Sequence, residues 1–220
     1  MIKIYYTDVS VLEFDEKKFK NKISKLRYEK IKTLKKEKDK LLSLGAELLL
    51  NYAVQQYFPG VVEPVKYYYN KNGKPFIEGN PVYFSLSHSG NYSACAISDN
   101  EIGIDIELMR DINLNIAKKF FTQKEYEYII SKPEKRIEHF FDIWVLKESY
   151  MKATGYGLSL GLRNFSFIID DSGKIDVFLD KGEKQIFNFL KFLIDDKYKL
   201  AICSKSFEKK SKIKLNKIVF

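Results

Sequence analysis

The sequence predicts a mixed α+β protein built from two related halves. Two long stretches, residues 19–57 and residues 134–154, have helical periodicity without a proline. Short apolar segments of strand length lie between and after them. Two of these segments, Tyr92–Ser98 and Tyr198–Ser204, each have a tyrosine start, a small and apolar middle and a serine end, and they begin 106 residues apart in a chain of 220. A repeat at about half the chain length indicates two halves of similar architecture.

Breaker residues and alternation place the remaining elements. Pro59 and Pro64 end the first long helix, and Gly155 ends the second. Thr122 and Glu125 have the spacing of a capping box, which predicts a short helix over residues 126–130. We predict strands over residues 2–6, 65–69, 82–87, 92–98, 102–107, 165–169, 175–179, 185–194 and 198–204. No glycine- and serine-rich linker separates the halves, so we expect residues 1–106 and 107–220 to pack tightly.

The composition indicates a globular protein, with 45% hydrophobic and 30% charged residues. No apolar run reaches the length of about 20 residues that a membrane span requires. The start of the chain resembles a strand rather than a signal peptide. Cys95 and Cys203 both lie in apolar segments, where buried reduced thiols are expected. We therefore predict a cytoplasmic location and no membrane association.

Positive charge is concentrated near the N-terminus. Residues 17–40 contain twelve lysines and arginines against three acidic residues, a local balance of +9 that equals the net charge of the whole chain. Such a cluster attracts polyanions or acidic protein surfaces. Charge alone does not distinguish phosphate, nucleic acid and acidic protein as the partner, and a solvated helix face is an equal alternative.

The segment 102–107 carries two acids on a predicted strand. Alternation sends its three isoleucines to one face and Asp105 and Glu107 to the other, beside Gly103. Adjacent carboxylate oxygens are ligands that Mg²⁺ prefers. Surface acids are the alternative interpretation for an isolated pair of this kind.

Two further segments carry polar groups suited to phosphate chemistry. Glu148 and Lys152 share one face of the second long helix, one turn after Trp144, and could be a metal ligand and an ammonium or an ordinary surface ion pair. Ser87 ends a predicted strand and His88 begins the loop after it, in a segment rich in small hydrogen-bonding groups that could hold phosphate or be a solvated polar turn.

In this order and spacing, these segments resemble the 4'-phosphopantetheinyl transferases of the surfactin-synthetase-activator (Sfp) type. The strand with two acids and the W-x-x-K-E-S-x-x-K helix are specific motifs, whereas a Gly-Lys-Pro turn occurs in many unrelated loops. The matching segments are Gly73-Lys74-Pro75, residues 84–89, residues 102–107, residues 120–122 with Glu125, residues 144–152, and Gly155 with Gly157.

The resemblance implies two similar α/β subdomains related by a pseudo-twofold axis. Each would consist of a small antiparallel sheet packed on a long helix, with coenzyme A bound between them. It implies Mg²⁺ as the cofactor, with ligands Asp105, Glu107 and Glu148. It also implies a catalytic role for Lys152, which would contact the pyrophosphate, and for Glu148 as a base.

The resemblance also assigns contacts to coenzyme A. Lys74, Ser87 and His88 match positions that hold the nucleotide phosphates, with Lys147 as a further contributor. Arg27 and Lys30 are the candidates for the 3'-phosphate. Family members often have an arginine where this chain has Leu41, and Lys38 or Lys40 could substitute for it.

The implied reaction transfers the 4'-phosphopantetheine arm of coenzyme A to a serine of an apo acyl or peptidyl carrier protein and releases adenosine 3',5'-bisphosphate. Carrier proteins are small and acidic, which fits the basic charge of this chain. We expect a monomer that does not bind nucleic acid. Two alternatives are a basic nucleic-acid-binding module without enzymatic activity and another magnesium-dependent phosphoryl-transfer enzyme.

Overall fold

A computed structural model describes residues 1–79, 82–207 and 213–220 of the chain. Helices and strands alternate along it in a mixed α/β arrangement. Within the described ranges the elements are β1 (Ile2–Asp8), α1 (Glu16–Phe19), α2 (Lys25–Thr33), α3 (Glu37–Tyr57), β2 (Tyr67–Tyr69), β3 (Pro75–Ile77), β4 (Tyr83–Ser89), β5 (Tyr92–Ser98), β6 (Ile102–Leu108), α4 (Asn115–Phe120), α5 (Gln123–Ile130), α6 (Arg136–Thr154), β7 (Phe165–Ile169), β8 (Ile175–Leu179), β9 (Lys184–Gln185), β10 (Asn188–Ile194), β11 (Tyr198–Ser204) and β12 (Leu215–Lys217).

Two main sheets are built on the two segments whose sequences resemble each other. The first sheet has the order β12-β1-β5-β4 and the second has the order β10-β11-β6, so β5 and β11 each lie between two antiparallel neighbours. The registers correspond as well, because Ile2 pairs with Ser98 in the first sheet and Ile102 pairs with Ser204 in the second. β12 adds to the first sheet as a parallel neighbour of β1. The remaining strands of the described residues form two smaller sheets, β2-β3 and β7-β8-β9.

The molecule is layered as helix, sheet, sheet, helix. One apolar cluster joins α3 to the first sheet, where Leu49 and Val54 pack with Ile97. A second cluster joins α6 to the opposite side of the second sheet. A third lies between the sheets and includes Ala94 of β5 and Ile104 of β6. The isoleucines of β6 thus enter this core, as the alternation predicted, while Gly103 and Asp105 face α6.

The structure corrects several predicted boundaries. The helical stretch 19–57 is divided into α1, α2 and α3, because Ser24 caps a new helix and the backbone is extended at Leu34 and Lys36. The predicted strand 185–194 is divided into β9 and β10. The division after residue 106 stays a prediction; it lies within β6, all of whose residues pair with β11.

Other predictions are confirmed at the level of single elements. The capping box of Thr122 and Glu125 is formed at the start of α5, and Gly155 ends α6 in the left-handed conformation. Cys95 and Cys203 are both buried and free. In the described part of the chain, no helix is both long enough and apolar enough to span a membrane.

Candidate active site

A glycine on β6 lets α6 lie directly against the strand that carries the two acids. A Cβ atom at Gly103 would stand 1.9 Å from the carbonyl oxygen of Ser149 and 2.5 Å from the backbone nitrogen of Ala153. Only a residue without a side chain permits so close an approach of two backbones. The approach brings Glu148 and Lys152 of α6 to the end of β6 that holds Asp105.

A cavity of about 490 Å³ opens between the elements of the two main sheets. α2, α3 and β4 contribute to one side of it, and β6 and α6 contribute to the other. Trp144, Gly155 and Gly157 also belong to its wall. Every predicted site residue except Lys147 lines this cavity, namely Arg27, Lys30, Lys74, Ser87, His88, Asp105, Glu107, Glu148 and Lys152.

Three serines of β4 connect the two sheets through their side chains. The hydroxyl oxygens of Ser85, Ser87 and Ser89 accept hydrogen bonds from the backbone N–H groups of successive residues on one edge of β6, at 3.1, 3.3 and 3.1 Å. Two of the hydroxyls also donate to the acids, with Ser87 bonded to Asp105 at 2.8 Å and Ser89 bonded to Glu107 at 2.7 Å. We call Ser85, Ser87 and Ser89 the serine ladder. It places the carboxylates relative to β4 as well as to β6.

Asp105 is the most enclosed acid of the cavity, with 3% of its surface exposed. One oxygen, Oδ1, accepts hydrogen bonds from the ammonium of Lys152 at 2.8 Å and from Ser87. The other oxygen, Oδ2, is buried without a hydrogen-bond partner among the described residues. A buried carboxylate oxygen without a donor is costly, so the chemistry of this atom suits a cation as its partner.

The acids of the cavity repel one another. Burial raises the pKa of Glu148 above its ordinary value, and the charges of Asp105 and Glu107 raise it further. The pKa of Glu107 is raised by burial and by Asp105, against hydrogen bonds from Ser89 and Trp144 that lower it. Burial also raises the pKa of Asp105, although Lys152 opposes the shift. Acids held in this way favour a neighbouring cation.

The three carboxylates do not form a complete metal cage by themselves. Among the described residues, no group of three or more His, Cys, Asp and Glu side chains has an arrangement that could hold a metal ion. Lys152 instead supplies the positive charge beside Asp105. Any metal at this position would therefore need oxygen ligands from a substrate or from water in addition to the acids, which is the usual coordination of Mg²⁺.

Basic side chains form the opposite part of the cavity wall. Lys74 is nearly buried and donates a hydrogen bond to the carbonyl oxygen of Ala153, and burial lowers its pKa. Although His88 is exposed, desolvation by the surrounding protein lowers the pKa of its imidazole. The positive charges of Lys152, Lys30 and Arg27 lower this pKa further. An acidic corner and a basic wall in one cavity suit a ligand that carries several phosphate groups and a metal ion.

The structure does not bring Lys147 to this cavity, which corrects its predicted contact with phosphate. Its side chain is fully buried, and its ammonium contacts Glu125 at 2.9 Å and donates to the carbonyl oxygens of Leu162 and Phe165 at 2.7 and 2.8 Å. All three N–H groups are therefore used inside the protein. Lys147 fixes α6 to α5 and to the loop before β7. Glu125, which belongs to the matching segments of the sequence, is likewise buried, and it joins α5 to Lys147 of α6.

The substitutes suggested for the missing arginine also lie elsewhere. Leu41 is half-buried and packs beside the cluster of Val9, Leu12 and Leu42. Lys38 and Lys40 are not among the described residues that line the cavity. Arg27 and Lys30 are consequently the basic residues that α2 contributes to this wall.

One buried residue beside the cavity was missed by the sequence analysis. Glu47 lies in α3 with no exposed surface, and it forms an ion pair with Arg27 at 3.0 Å. The available signal was an acid at the centre of an apolar helical run, between Leu44 and Leu48. Nothing in the sequence identified its partner.

Comparisons with known proteins show which family the chain resembles. The model of the 4'-phosphopantetheinyl transferase superfamily matches residues 101–203, which include β6 and α6. A 4'-phosphopantetheinyl transferase of Bacillus subtilis is 32% identical over 207 residues, covering 92% of each chain. The 4'-phosphopantetheinyl transferase Sfp of Bacillus subtilis (strain 168) is 30% identical over 207 residues with the same coverage. The crystal structure of the Thermotoga maritima holo-[acyl-carrier-protein] synthase has a TM-score of 0.38 and 20% identity, covering 47% of this chain and 61% of that one.

The curated relatives place this protein among the transferases. The chain belongs to the 4'-phosphopantetheinyl transferase superfamily, and its similarity over nearly the whole length is to the Sfp-type members. The family and the enzyme class predicted from the sequence are thereby confirmed.

Proposed function

We propose that this enzyme transfers the 4'-phosphopantetheine arm of coenzyme A to a serine of an apo acyl or peptidyl carrier protein. The observation that carries the proposal is the single cavity in which the acids of β6 and α6 face Lys152 and a basic wall. The serine oxygen forms a bond to the phosphorus on the pantetheine side. The bridging P–O bond of the pyrophosphate breaks, and adenosine 3',5'-bisphosphate leaves with the electron pair of that bond.

The residues of the cavity have distinct roles in this proposal. Glu148 accepts the proton of the serine hydroxyl, since it is the carboxylate that α6 contributes to the same cavity. Lys152 turns from Asp105 to the leaving phosphate, whose negative charge grows as the bond breaks. Lys74, Ser87 and His88 contact the pyrophosphate, and Arg27 and Lys30 contact the 3'-phosphate.

We also propose Mg²⁺ as the cofactor, held by Asp105, Glu107 and Glu148 together with substrate oxygens and water. The unpartnered Oδ2 atom of Asp105 and the raised pKa values of all three acids support this assignment. When bound, the ion neutralises negative charge on the pyrophosphate that would repel an oxygen nucleophile.

We further propose that the two halves are related by a pseudo-twofold axis, each with an antiparallel sheet on a long helix. The equal strand orders around β5 and β11 support it. We place the division before Ile102, since β6 pairs entirely with the second sheet.

The net charge of +9 supports an acidic carrier protein as the partner. A monomer that binds neither nucleic acid nor membrane, located in the cytoplasm where its cysteines stay reduced, completes the proposal.

The test is to incubate the protein with coenzyme A, Mg²⁺ and an apo carrier protein and to weigh the carrier by mass spectrometry. We expect a mass gain equal to one phosphopantetheine, which D105A and E148A abolish. E29A is the matched control, because Glu29 is an exposed acid whose ion pair is with Lys32, on the same helix. Absence of a gain on carriers from fatty-acid, polyketide and peptide synthesis would contradict the proposal, and cleavage of nucleic acid without coenzyme A turnover would favour a nuclease instead.

A further inference from the structure

Glu47 is a fully buried acid that is bonded to Arg27 of the cavity wall and to two neighbouring residues. Its Oε1 atom accepts the backbone N–H of Ser24 at 3.0 Å. Its Oε2 atom accepts the Nε–H of Arg27 at 3.0 Å and the hydroxyl of Tyr67 at 2.9 Å. These bonds join α3 to the start of α2 and to β2. A buried carboxylate with this many donors is held in one geometry.

Arg27 occupies an unusual place at the start of α2. Ser24 is the N-cap, and its hydroxyl accepts the backbone N–H of Arg27 at 3.2 Å. The residue at this position of a capping box is ordinarily an acid that bonds back to the N–H of the cap. Here it is a cation, and Glu47 receives that N–H from a different helix. A positive charge near a helix N-terminus opposes the helix dipole, and the buried carboxylate of Glu47 supplies the compensating negative charge.

The ion pair determines which edge of the guanidinium is left for a ligand. The Nε–H group is bonded to Glu47, and Nη1 donates to Ser43 at 3.4 Å. The described residues provide no hydrogen-bond acceptor for the Nη2 group, and Arg27 lines the cavity. Lys30 lines the same wall, and its pKa is lowered by burial and by the charge of Arg27. An anion between these two side chains would relieve that repulsion.

We propose that Glu47 is a positioning residue that orients Arg27 toward the 3'-phosphate of coenzyme A, and that this ion pair sets the preference for coenzyme A over its 3'-dephospho form. The inference rests on the proposed function. It assigns the adenosine end of the substrate to the wall formed by α2, where Leu41 supplies no charge. Glu47 itself does not contact the substrate.

The sign of the effect separates positioning from simple electrostatics. Removing an acid beside a cationic wall makes the wall more positive, so Coulomb attraction alone predicts tighter binding of coenzyme A by E47Q. Loss of the orientation of Arg27 predicts weaker binding. We expect the Kd of coenzyme A, measured by titration calorimetry without carrier protein, to rise about tenfold in E47Q. The Kd of 3'-dephospho-coenzyme A should change less than about twofold, because that ligand lacks the phosphate in question.

Kinetics provide the second readout. In E47Q the KM for coenzyme A should rise with the Kd while kcat stays within about twofold, since the reacting atoms are not touched. E29Q is the matched control, because it removes the same charge from the exposed face of α2. It should leave the ratio of the two Kd values unchanged. In an R27A background, E47Q should add no further loss, because the two residues act as one unit.

The outcomes are separable. Equal weakening of both ligands in E47Q, or unchanged or tighter binding of coenzyme A, would overturn the inference. If E47Q does not fold, E47D decides, because it keeps the charge but withdraws the carboxylate from Arg27. A weakening confined to coenzyme A supports the inference, and no shift overturns it. If the wild type transfers phosphopantetheine and E47Q binds coenzyme A equally well, the role of Glu47 is refuted while the proposed function stands. A wild-type protein without transfer refutes the proposed function.

Discussion

At the scale of single residues, Lys152 has two successive partners in the proposed reaction. Its ammonium lies 2.8 Å from the carboxylate of Asp105. The Asp105 side chain is 4% exposed, whereas the Lys152 side chain is 30% exposed. The pair keeps a buried carboxylate neutralised when no metal is present. The same side chain is then needed at the leaving phosphate. In the proposed reaction, Lys152 is therefore a catalytic group as well as the counter-ion of Asp105.

K152M tests the structural part without measuring transfer. In a chelator, we expect its free energy of unfolding to fall by about 2–3 kcal/mol, because Asp105 is left as a buried unpaired charge. Mg²⁺ should restore more stability to K152M than to the wild type, since the ion takes the place of the ammonium. K174M is the control, because Lys174 is exposed and pairs with a half-buried acid. Equal responses of K152M and wild type to Mg²⁺ in thermal unfolding would contradict the metal site.

The raised pKa of Glu148 predicts how stability depends on pH. At pH values between the ordinary pKa of 4.5 and the raised pKa, Glu148 of the folded protein holds a proton that it has released in the unfolded chain. The free energy of unfolding in a chelator should therefore decrease as pH rises through this window. E148Q lacks the titration, so its stability relative to wild type should increase from about pH 4 to about pH 8. Denaturant unfolding across this range is the measurement, and a constant difference would show that Glu148 titrates normally.

The sequence indicated which residues belong to the site but not how they are paired. Asp105, Glu107 and Glu148 follow from alternation and a motif, because both depend on near neighbours in the chain. Lys147 has the same motif support, yet it faces the interior because one residue along a helix turns the side chain by about 100°. Glu47 pairs with Arg27 only through the packing of α3 on α2. Such tertiary pairings leave no local pattern.

At the scale of elements, the contact between β6 and α6 determines the distance from Asp105 to Lys152. G103A places a methyl group against the backbone of Ser149 and Ala153, which cannot move without moving α6. We expect a loss of stability of about 3 kcal/mol or more and a loss of most transfer activity, even below the unfolding temperature. G45A is the matched control, since its methyl group meets the side chain of Val9 at 2.7 Å, away from the acids. It should lose stability but keep activity in the folded fraction; equal activity losses would argue against the role of Gly103.

The serine ladder allows a separate test of orientation. S89A removes the donor to Glu107 and the acceptor for Leu108, whereas S85A removes the acceptor for Ile104 and touches neither acid. Both should lower the free energy of unfolding by about 1 kcal/mol. The kcat should fall about tenfold in S89A and clearly less in S85A. Identical kcat values in steady-state assays would limit the ladder to a structural role.

The elements of the fold were predictable to different degrees for physical reasons. β5, β7, β8 and β11 match their predicted bounds because strong alternation or apolar runs end at turns. The division of α1 from α2 was missed because it contains neither glycine nor proline and depends on the cap at Ser24. β3 and β12 have three residues each and exist through their pairing partners. Local sequence does not encode a partner strand.

At the scale of the whole molecule, the net charge of +9 should govern encounter with the carrier protein. We expect the KM for an acidic carrier to rise several-fold between about 50 and about 300 mM NaCl, because exposed charges are screened. A variant with both K17E and K22E, at two exposed lysines, should show much of this rise in the KM for the carrier already at low salt. K181E on the opposite half is the control. A carrier KM that is independent of salt would show that docking relies on apolar contacts.

The parallel pairing of β12 with β1 joins two segments that are two hundred residues apart, through registers such as Ile4 with Leu215. During synthesis on the ribosome, β1 emerges well before β12, and its outer edge stays unpaired until β12 has also been translated. The first sheet therefore stays incomplete while the residues between β1 and β12 are made, and the nascent chain carries an open strand edge until β12 has left the exit tunnel.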